Sequence, residues 1–311
     1  MDKLMQKRVL ITGSNGLLGQ KLTDLLSRDQ QQLLCCTSKN PNRNPNQNGY
    51  QFAQVDLLNR SEIESLLATF KPTHIIHTAA ITSVEACEAQ PDLCRKLNVD
   101  VVAWLADWCK KENSHLTFIS TDFVFSGTEE NYRYAENDTV APVNAYGQSK
   151  VDAENAIHQS GCRAAILRTI LVYGVIADRN RSNLVLWAKA QLEHKNTIRV
   201  VSDQWRMPTW VDDLAQATQS AASQDAQGIF HISGPEYLSI LQIAELVAAY
   251  WNLDKQLIVP IHADDIGQRH NRPRSTGFTL EKAQQHLNFQ PTPIQTAFEE
   301  IDAQIELLWH N

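Results

Sequence analysis

The chain has 311 residues, of which 43% are hydrophobic and 20% are charged, and its formal net charge is -7 at pH 7. This length and apolar content allow a sizeable buried core and exclude a miniprotein or a disordered chain. The negative charge disfavours nucleic acid and anionic membrane surfaces as partners. No run approaches the roughly 18 apolar residues of a spanning helix, and no signal-peptide core precedes the first strand, so we expect a cytoplasmic protein.

Short apolar runs alternate with helical patterns in the first half of the chain. The run RVLIT, from Arg8, stops at a glycine-bearing turn, and apolar residues then follow helical spacing to Leu26. The alternation predicts right-handed βαβ crossovers, and therefore an α/β fold with a Rossmann-type doubly wound parallel sheet. Further strands are predicted from Leu33, Tyr50, His74, His115 and Cys162, and helices over 61–70, 93–111 and 145–159.

After Arg168 the alternation becomes less regular, which predicts a smaller mixed α/β lobe with some segments returning to the sheet. The polar tract over 38–49 has no periodicity and is predicted to be a surface loop. The six cysteines show neither a CxxC pair nor zinc spacing, so we expect no metal site. Helical patterns cover 183–194, 212–223, 240–251, 280–287 and 294–308, separated by the β-like runs IRVV, GIFHIS and LIVPIH.

Three glycines follow the first strand and open a helix, which is the context of a dinucleotide-binding turn. Gly13 permits the tight turn, Gly16 lets the backbone approach a pyrophosphate, and Gly19 allows close packing of helix on strand. We therefore predict nucleotide binding by the segment Gly13, Ser14, Asn15, Gly16, Leu17, Leu18 and Gly19.

The residues after the second strand bear on the choice of cofactor. A NAD-specific site usually has an acid here, but this chain has Ser38 and Lys39, with Arg43 further on. These side chains are suited to a 2′-phosphate, so NADP(H) is favoured and NAD(H) remains the alternative. At later strand ends, Asp56 and Leu57 are candidates for the adenine, and the small residues Thr78, Ala79 and Ala80 for the ribose and pyrophosphate.

A reacting centre is predicted where the fifth strand ends. Tyr146 and Lys150 are four residues apart and share one helical face, so the ammonium can lie near the phenol and lower its pKa. A phenol adjusted in this way is a proton donor for carbonyl reduction. Thr121, at the end of the fifth strand, is placed to add a hydrogen bond to the developing alkoxide.

Taken together, these segments resemble an extended short-chain dehydrogenase/reductase, and within that family they are similar to the dTDP-4-dehydrorhamnose reductase branch of sugar-nucleotide enzymes. The matching stretches span nearly the whole chain in the family's order. They are TGSNGLLG, DLLN, HTAA, LNVDVVAWLADWC, STDFVFSG, APVNAYGQSK, LRTILVYG, GIFHISG and RPRSTGFTLEKAQQHLNFQPTPI.

The resemblance implies a role for each matching residue. Thr121, Tyr146 and Lys150 become the catalytic triad, with Asn98 supporting them from the fourth helix. Lys150 also binds the nicotinamide ribose, and Val172 borders the nicotinamide. The implied reaction is hydride transfer from NAD(P)H to the keto carbon of a nucleotide-linked 4-keto-6-deoxysugar, with the proton coming from Tyr146.

The resemblance also implies two lobes. Residues 1–170 are expected to form the NAD(P)-binding Rossmann domain, to which 197–228 returns, and 171–196 and 229–311 the substrate-binding lobe. An acidic protein that binds a nucleotide diphosphate must concentrate positive charge locally, and Arg206, Arg269, Arg272 and Arg274 are candidates, with surface ion pairs as the alternative. The predicted substrate-binding residues are Val84, Phe123, Trp205, Arg206 and Arg272.

Two departures from the branch leave the sugar's identity open. Phe123 stands where relatives have tyrosine, and the segment SVEACE, from Ser83, differs from the usual sugar-facing loop. Two other functions remain as alternatives: a sugar-nucleotide epimerase, or an NADP-binding regulatory subunit like that of methionine adenosyltransferase. Dehydration is disfavoured because Asp122 is not followed by a second acid. A homodimer is a further expectation.

Overall fold

The computed structural model describes residues 6–179, 182–268 and 271–309. Its strands are β1 (Arg8–Thr12), β2 (Leu33–Ser38), β3 (Gln51–Gln54), β4 (His74–His77), β5 (His115–Thr121), β6 (Arg163–Thr169), β7 (Val172–Tyr173), β8 (Ile198–Val201), β9 (Trp205–Arg206), β10 (Thr209–Trp210), β11 (Gly228–Ile232), β12 (Leu238–Ser239) and β13 (Ile258–Ile261).

The helices are α1 (Leu17–Leu26), α2 (Arg60–Phe70), α3 (Val84–Ala89), α4 (Pro91–Arg95), α5 (Val101–Lys111), α6 (Ala145–Ser160), α7 (Leu184–Glu193), α8 (Val211–Ser223), α9 (Ile240–Tyr250), α10 (Glu281–Leu287) and α11 (Ile294–Trp309). A π-helical turn over Lys96–Asp100 joins α4 to α5. Within the described ranges, no helix is long and apolar enough to cross a membrane.

Seven parallel strands form the central sheet in the order β11-β6-β5-β4-β1-β2-β3. The chain winds outward from β1 in one direction and then from β4 in the other, so the order reverses between these two strands. This confirms the predicted doubly wound α/β fold. In such sheets a crevice opens at the carboxyl ends of the strands where the order reverses, and ligands bind there.

Helices cover both faces of the sheet because its strands alternate apolar side chains between two cores. Ile11 of β1 packs with Leu22 of α1 and Leu214 of α8 on one face. Leu10, the preceding residue, packs on the other face in the core that contains Leu105 of α5. Such strands, buried on both sides, are typical of parallel sheets.

The second half of the chain adds three short strand pairs: β7 with β10, β8 with β13, and β9 with β12. Our division into two lobes stays a proposal. Residues 198–201, expected in the Rossmann domain, form β8 and pair with β13 of the expected substrate lobe. Residues 229–232, expected in the substrate lobe, belong to β11, which pairs with β6 in the central sheet. Helix α8 packs on α1 and on the central sheet.

The polar tract over 38–49 is a loop with repeated local order. The side-chain oxygens of Asn42, Asn44 and Asn46 each accept a hydrogen bond, at 3.1 Å, from the backbone N–H two residues further on. Such turns satisfy backbone groups without a strand or helix partner. The spacing of asparagines, rather than hydrophobic periodicity, therefore holds this segment together.

A buried ion pair ties α6 to the sheet. The carboxylate of Glu154 accepts hydrogen bonds from Arg168 Nε at 3.0 Å, from Arg168 Nη2 at 2.7 Å and from Ser120 Oγ at 2.5 Å. Both charged side chains are almost fully buried. Because α6 carries Tyr146 and Lys150, this pair anchors the helix of the predicted reacting centre.

Arg168→Met should lower the free energy of unfolding by about 3 kcal/mol, because it leaves the Glu154 carboxylate buried without a counter-charge. Equilibrium urea unfolding measures this loss. Arg60→Met, which breaks the exposed pair between Arg60 and Glu64, is the matched control and should cost about 0.5 kcal/mol or less. Equal losses in the two variants would show that the buried pair does not anchor the fold.

Candidate functional site

The turn between β1 and α1 is closely packed in the way the glycine spacing predicts. Gly13 has a φ of +75°, and a Cβ built on it would lie 2.7 Å from the backbone nitrogen of Ala79. A Cβ on Gly19 would lie 2.3 Å from the carbonyl oxygen of Gly13. The backbone N–H groups of Gly13 and Ser14 donate to Thr37 O at 2.9 and 3.1 Å, so the turn rests directly on the end of β2.

The N-terminus of α1 opens into a large cavity. Gly16 is the N-cap residue and provides no side-chain acceptor, so the amides of the first helical turn are left for another partner. Gly16, Leu17 and Leu18 line a cavity of about 940 Å³. Free amides and the positive end of the helix dipole suit an anionic ligand, so this turn fits the pyrophosphate of a dinucleotide.

Ser14 and Asn15 are buried, and their side chains bond to the protein. Ser14 Oγ donates to Thr37 O at 3.2 Å, and Asn15 Nδ2 donates to Pro41 O at 2.8 Å. The Asn15 side-chain oxygen accepts from the backbone of Arg43 at 2.9 Å. In this structure the two side chains therefore hold β2 and the polar loop against the glycine turn, and their predicted contact with a cofactor stays a prediction.

Lys39 and Asp56, predicted to bind the adenosine end, form an ion pair with each other at 2.9 Å. Lys39 remains 66% exposed, so its ammonium is accessible to a phosphate at the surface. Ser38, at the end of β2, is partly buried, and Leu57 is buried. The guanidinium of Arg43 forms an ion pair with Asp178, at 3.0 Å.

The residues after β4 follow the same wall. Thr78 Oγ1 donates to Thr12 O at 2.7 Å, and Thr78 and Ala80 line the cavity. Ala79 supplies the backbone that Gly13 packs against. Val172, in β7, lines the cavity further along. The structure therefore brings the glycine turn and these predicted cofactor residues to one continuous surface.

Tyr146 and Lys150 lie on the cavity wall, next to Thr121. Lys150 Nζ donates to Ile119 O at 2.9 Å and lies 4.6 Å from the centre of the Phe118 ring. Burial lowers the pKa of Lys150 to about 8. Burial raises the pKa of Tyr146 above its usual range, so the lowering predicted from the sequence is wrong, and the neighbouring Thr121 hydroxyl only works against that rise. The tyrosine is therefore a neutral proton donor at neutral pH.

Asn98 lies in the π-helical turn, and its side chain hydrogen-bonds to residues other than Tyr146 and Lys150. Its side-chain oxygen accepts from Ile81 N at 2.9 Å. Its side-chain nitrogen donates to Ile81 O at 2.9 Å and to Ser149 Oγ at 3.0 Å. Asn98 thus ties the segment after β4 to α6, and its predicted supporting role for the reacting side chains stays a prediction.

Arg206 lies in β9 and is buried against the end of β5. It donates to Trp205 O at 2.7 Å and to Pro273 O at 2.6 Å, and its Nε lies 3.7 Å from Asp122 Oδ2. Asp122 is also buried, and Thr276 Oγ1 donates to it at 2.5 Å. This buried pair joins β9 to the residue that follows Thr121.

The other predicted substrate residues divide into two groups. Phe123 and Arg272 line the cavity, and Arg272 also pairs with Glu85. Val84 is fully buried in the apolar cluster around Tyr146, and Trp205 lies outside the cavity wall, so neither predicted substrate contact has support in the structure. Arg274 contacts the Trp205 ring at 5.6 Å and pairs with Glu130 at 3.0 Å, and Arg269 lies outside the described residues.

Sequence reasoning missed several cavity-lining residues that follow Arg168 in the chain, among them Trp187, Arg199 and Gln204. Arg199 has no ion-pair partner in the part of the chain that the structure describes. The alternation in IRVV, with buried residues on either side of Arg199, was the one signal that could have indicated its outward position. Among the residues that the structure describes, no cluster of His, Cys, Asp and Glu suits a metal ion.

The described cavity wall carries more cationic than anionic side chains although the protein is acidic. Its cations are Lys150, Arg199, Arg206 and Arg272, of which Arg206 pairs with the wall carboxylate Asp122 and Arg272 pairs with Glu85. Such a concentration of positive charge suits an anionic ligand.

Comparison with known proteins gives three informative similarities. The chain is 31% identical to methionine adenosyltransferase 2 subunit beta of Pongo abelii over 302 residues, which cover 94% of this chain and 86% of that protein. It is 29% identical to dTDP-4-dehydrorhamnose reductase of Aggregatibacter actinomycetemcomitans, over 96% of this chain and 99% of that protein. The structure of dTDP-4-dehydrorhamnose reductase from Bacillus anthracis in complex with NADP superposes with a TM-score of 0.81 and 26% identity, covering 96% of this chain and all of that one.

The profile of the RmlD substrate binding domain family matches residues 7–306, which is nearly the entire sequence. The match covers the glycine turn, the Tyr146 and Lys150 helix and the second lobe in a single alignment. The chain belongs to the RmlD substrate binding domain family.

Proposed function

We propose that this protein is an NAD(P)H-dependent reductase of a nucleotide-linked 4-keto-6-deoxysugar. The observation that carries the proposal is the placement of Thr121, Tyr146 and Lys150 on the wall of the cavity into which the N-terminus of α1 opens. A dinucleotide held at that turn and a proton donor further along the same wall are the two requirements of carbonyl reduction.

The cofactor, when bound, supplies the hydride. Tyr146 donates its proton to the carbonyl oxygen as that oxygen becomes an alkoxide. Lys150 stabilises the resulting tyrosinate by its positive charge, which Ile119 O orients without neutralising. The amides of the first turn of α1 hold the pyrophosphate, and the residues around Thr78 leave room for the ribose.

NADP(H) is the favoured cofactor and NAD(H) the alternative. The Bacillus anthracis reductase that superposes on this chain was solved with NADP. The absence of an acid after β2, together with the exposed ammonium of Lys39, supports binding of a 2′-phosphate. The positive cavity supports a nucleotide-diphosphate substrate, and we retain cytoplasmic location and a homodimer as predictions.

A second candidate function rests on the similarity to methionine adenosyltransferase 2 subunit beta. In that case this chain would bind NADP and act through a partner enzyme. An epimerase is a further alternative, whereas dehydration is disfavoured, because Asp122 is buried and bound by Arg206 and Thr276 and has no free oxygen to serve as an acid toward a sugar.

The deciding experiment follows NADPH absorbance while the purified protein is offered dTDP-, UDP- and GDP-linked 4-keto-6-deoxysugars, with NADH in parallel. Stoichiometric oxidation with one donor is the expected result. Tight NADPH binding without oxidation of the cofactor by any donor would contradict the proposal and favour the epimerase or the regulatory subunit. Co-purification with a methionine adenosyltransferase would then distinguish these two.

Tyr146→Phe should reduce kcat at least about a thousandfold, because it removes the proton donor. The dissociation constant for NADPH, measured by fluorescence, should stay within about twofold, since the glycine turn and Lys150 are unchanged. A Tyr146→Phe enzyme that turns over at the wild-type rate would remove the assigned proton donor.

Lys39→Ala should weaken NADPH binding about tenfold and NADH binding less than twofold, because a charge-assisted contact to the 2′-phosphate is lost. Fluorescence titration with both cofactors measures the difference. Arg60→Ala, which removes an exposed cation on α2, is the matched control. Equal weakening for NADPH and NADH in the Lys39 variant would exclude the 2′-phosphate role.

The value of kcat/KM should fall as the pH rises through about 8, because Lys150 is charged below that pH and neutral above it. A pH profile with the identified donor measures this limb. Lys150→Arg, which keeps its charge throughout, should move the limb to higher pH. A wild-type profile that is flat from pH 7 to about 10 would contradict the depressed pKa of Lys150.

A further inference from the structure

One cation of the cavity wall is held by a carboxylate from a distant part of the chain. The Nη2 group of Arg272 donates to Glu85, which lies in α3. Ser83 Oγ donates to the other carboxylate oxygen of Glu85 at 3.1 Å. A hydrogen bond from its own backbone and the charge of Arg272 keep the pKa of Glu85 below its usual range. The carboxylate is therefore ionised at neutral pH.

The backbone on either side of Arg272 is anchored. Before it, Asn144 Nδ2 donates to the carbonyl oxygen of Asn271 at 2.8 Å. After it, Arg206 Nη2 donates to the carbonyl oxygen of Pro273 at 2.6 Å. A change in the position of the Arg272 guanidinium must therefore come from rotation of the side chain, because its backbone is fixed.

The pair with Glu85 satisfies the Arg272 guanidinium only in part. A guanidinium has five N–H donors, and Arg272 Nε is buried without a hydrogen-bond partner among the described residues. A buried donor without an acceptor is destabilising. Glu85, by contrast, is 61% exposed, so its carboxylate is readily hydrated when the pair opens. A stronger acceptor can therefore displace Glu85 from Arg272.

A second cation lies near Arg272 and favours an anion at this place. Burial lowers the pKa of Arg206, and the positive charge of Arg272 adds to this effect. Arg206 is fully buried and its donors bind backbone carbonyls, so its charge stays where it is. Because the two guanidinium groups repel each other, an anion beside Arg272 is stabilising. In this structure that anion is the Glu85 carboxylate.

Arg272 has open space on two sides. It lines the large cavity and also a pocket of about 220 Å³ that shares Gln204 with it. The large cavity is also lined by Tyr146, so a ligand that reaches both the proton donor and Arg272 occupies one continuous space. The guanidinium can therefore turn from Glu85 toward such a ligand without a movement of the backbone.

We propose that the Glu85 carboxylate holds Arg272 until the substrate binds, and that the diphosphate of the substrate then takes the place of Glu85. This inference rests on the proposed function. It makes Glu85 a positioning residue, because Glu85 acts on the substrate only through Arg272. The consequence is selection by charge. A diphosphate offers more negative charge and more acceptor oxygens than one carboxylate and displaces it, whereas an uncharged sugar does not.

The test is a binding cycle with NADP⁺ present, so that the turn at α1 is filled. Calorimetry measures the dissociation constants of dTDP and UDP for wild type, Glu85→Gln, Arg272→Met and the double variant. Glu85→Gln should bind about threefold more tightly, because the ligand no longer displaces a carboxylate from an exposed ion pair. Arg272→Met should bind at least about tenfold more weakly. In the Arg272→Met background, Glu85→Gln should change binding by less than about 1.5-fold.

Glu88→Gln is the matched control. Glu88 is exposed on the same helix and accepts from the backbone N–H of Ala145 at 2.7 Å, a bond that a glutamine oxygen also accepts. The variant removes one negative charge but keeps the pair of Glu85 with Arg272, so the dissociation constants should stay within about 1.5-fold of wild type. Weaker binding in Glu85→Gln, or equal tightening in Glu85→Gln and Glu88→Gln, would overturn the proposal.

A second readout follows Arg272 itself. In the full chain labelled with ¹⁵N-arginine, the Nε–H signal of Arg272 is assigned by its loss in Arg272→Lys. Without a nucleoside diphosphate, wild type and Glu85→Gln should give different signal positions. With saturating dTDP the two positions should coincide, because Glu85 no longer contacts Arg272. A difference that persists at saturation would contradict the displacement of Glu85.

Turnover separates this inference from the proposed function. With the identified donor, Glu85→Gln should lower KM about threefold and leave the loss or gain in kcat smaller than that. Failure of every keto-sugar to oxidise NADPH would remove the reductase function alone, because the binding cycle and the NMR signal do not depend on turnover. If neither dTDP nor UDP binds the wild-type protein with NADP⁺ present, displacement of Glu85 by a diphosphate is excluded.

Discussion

The strands of a parallel sheet all end at the same edge, and the whole site depends on this constraint. Because β5, β4 and β1 are neighbours, Thr121, Thr78 and the Gly13 turn arrive side by side although they are far apart in sequence. After β5 the chain runs through residues 122–144 into α6, which brings Tyr146 and Lys150 back to the same edge. The buried pair of Glu154 and Arg168 holds that helix on the sheet.

The features that could be predicted from the sequence are those with a local pattern. Alternating apolar runs predicted the sheet and most helices, and the spacing of Gly13, Gly16 and Gly19 predicted the nucleotide turn. Tyr146 and Lys150 were found because four residues make one helical turn.

Contacts between distant segments carried no such pattern. The arrival of Arg206 at Asp122 depends on β9 lying against the segment that contains Pro273, and no periodicity in the sequence records that pairing. Helix α3 was missed because six residues are too few to show a helical repeat. Arg199 was missed because a single outward side chain in a four-residue strand resembles any solvated residue.

The net charge of the cavity depends on which atoms accept hydrogen bonds from its cationic side chains. Lys150 donates to a backbone carbonyl, so its hydrogen bond is met while its positive charge remains in the site. Arg206 and Arg272, by contrast, each face a carboxylate, Asp122 and Glu85, which offsets part of their charge. An acidic protein can thereby hold an anion-binding cavity without a basic surface.

The π-helical turn over Lys96–Asp100, which joins α4 to α5, makes the placement of Asn98 depend on the number of residues in this stretch. Such a turn contains one residue more than an α-helix of the same path, and Asn98 reaches Ile81 and Ser149 from within it. Removing one residue between Pro91 and Lys111 would let the segment wind as an α-helix along the same path, without the π-helical turn that holds Asn98. The extra residue therefore places the Asn98 side chain between the segment after β4 and α6.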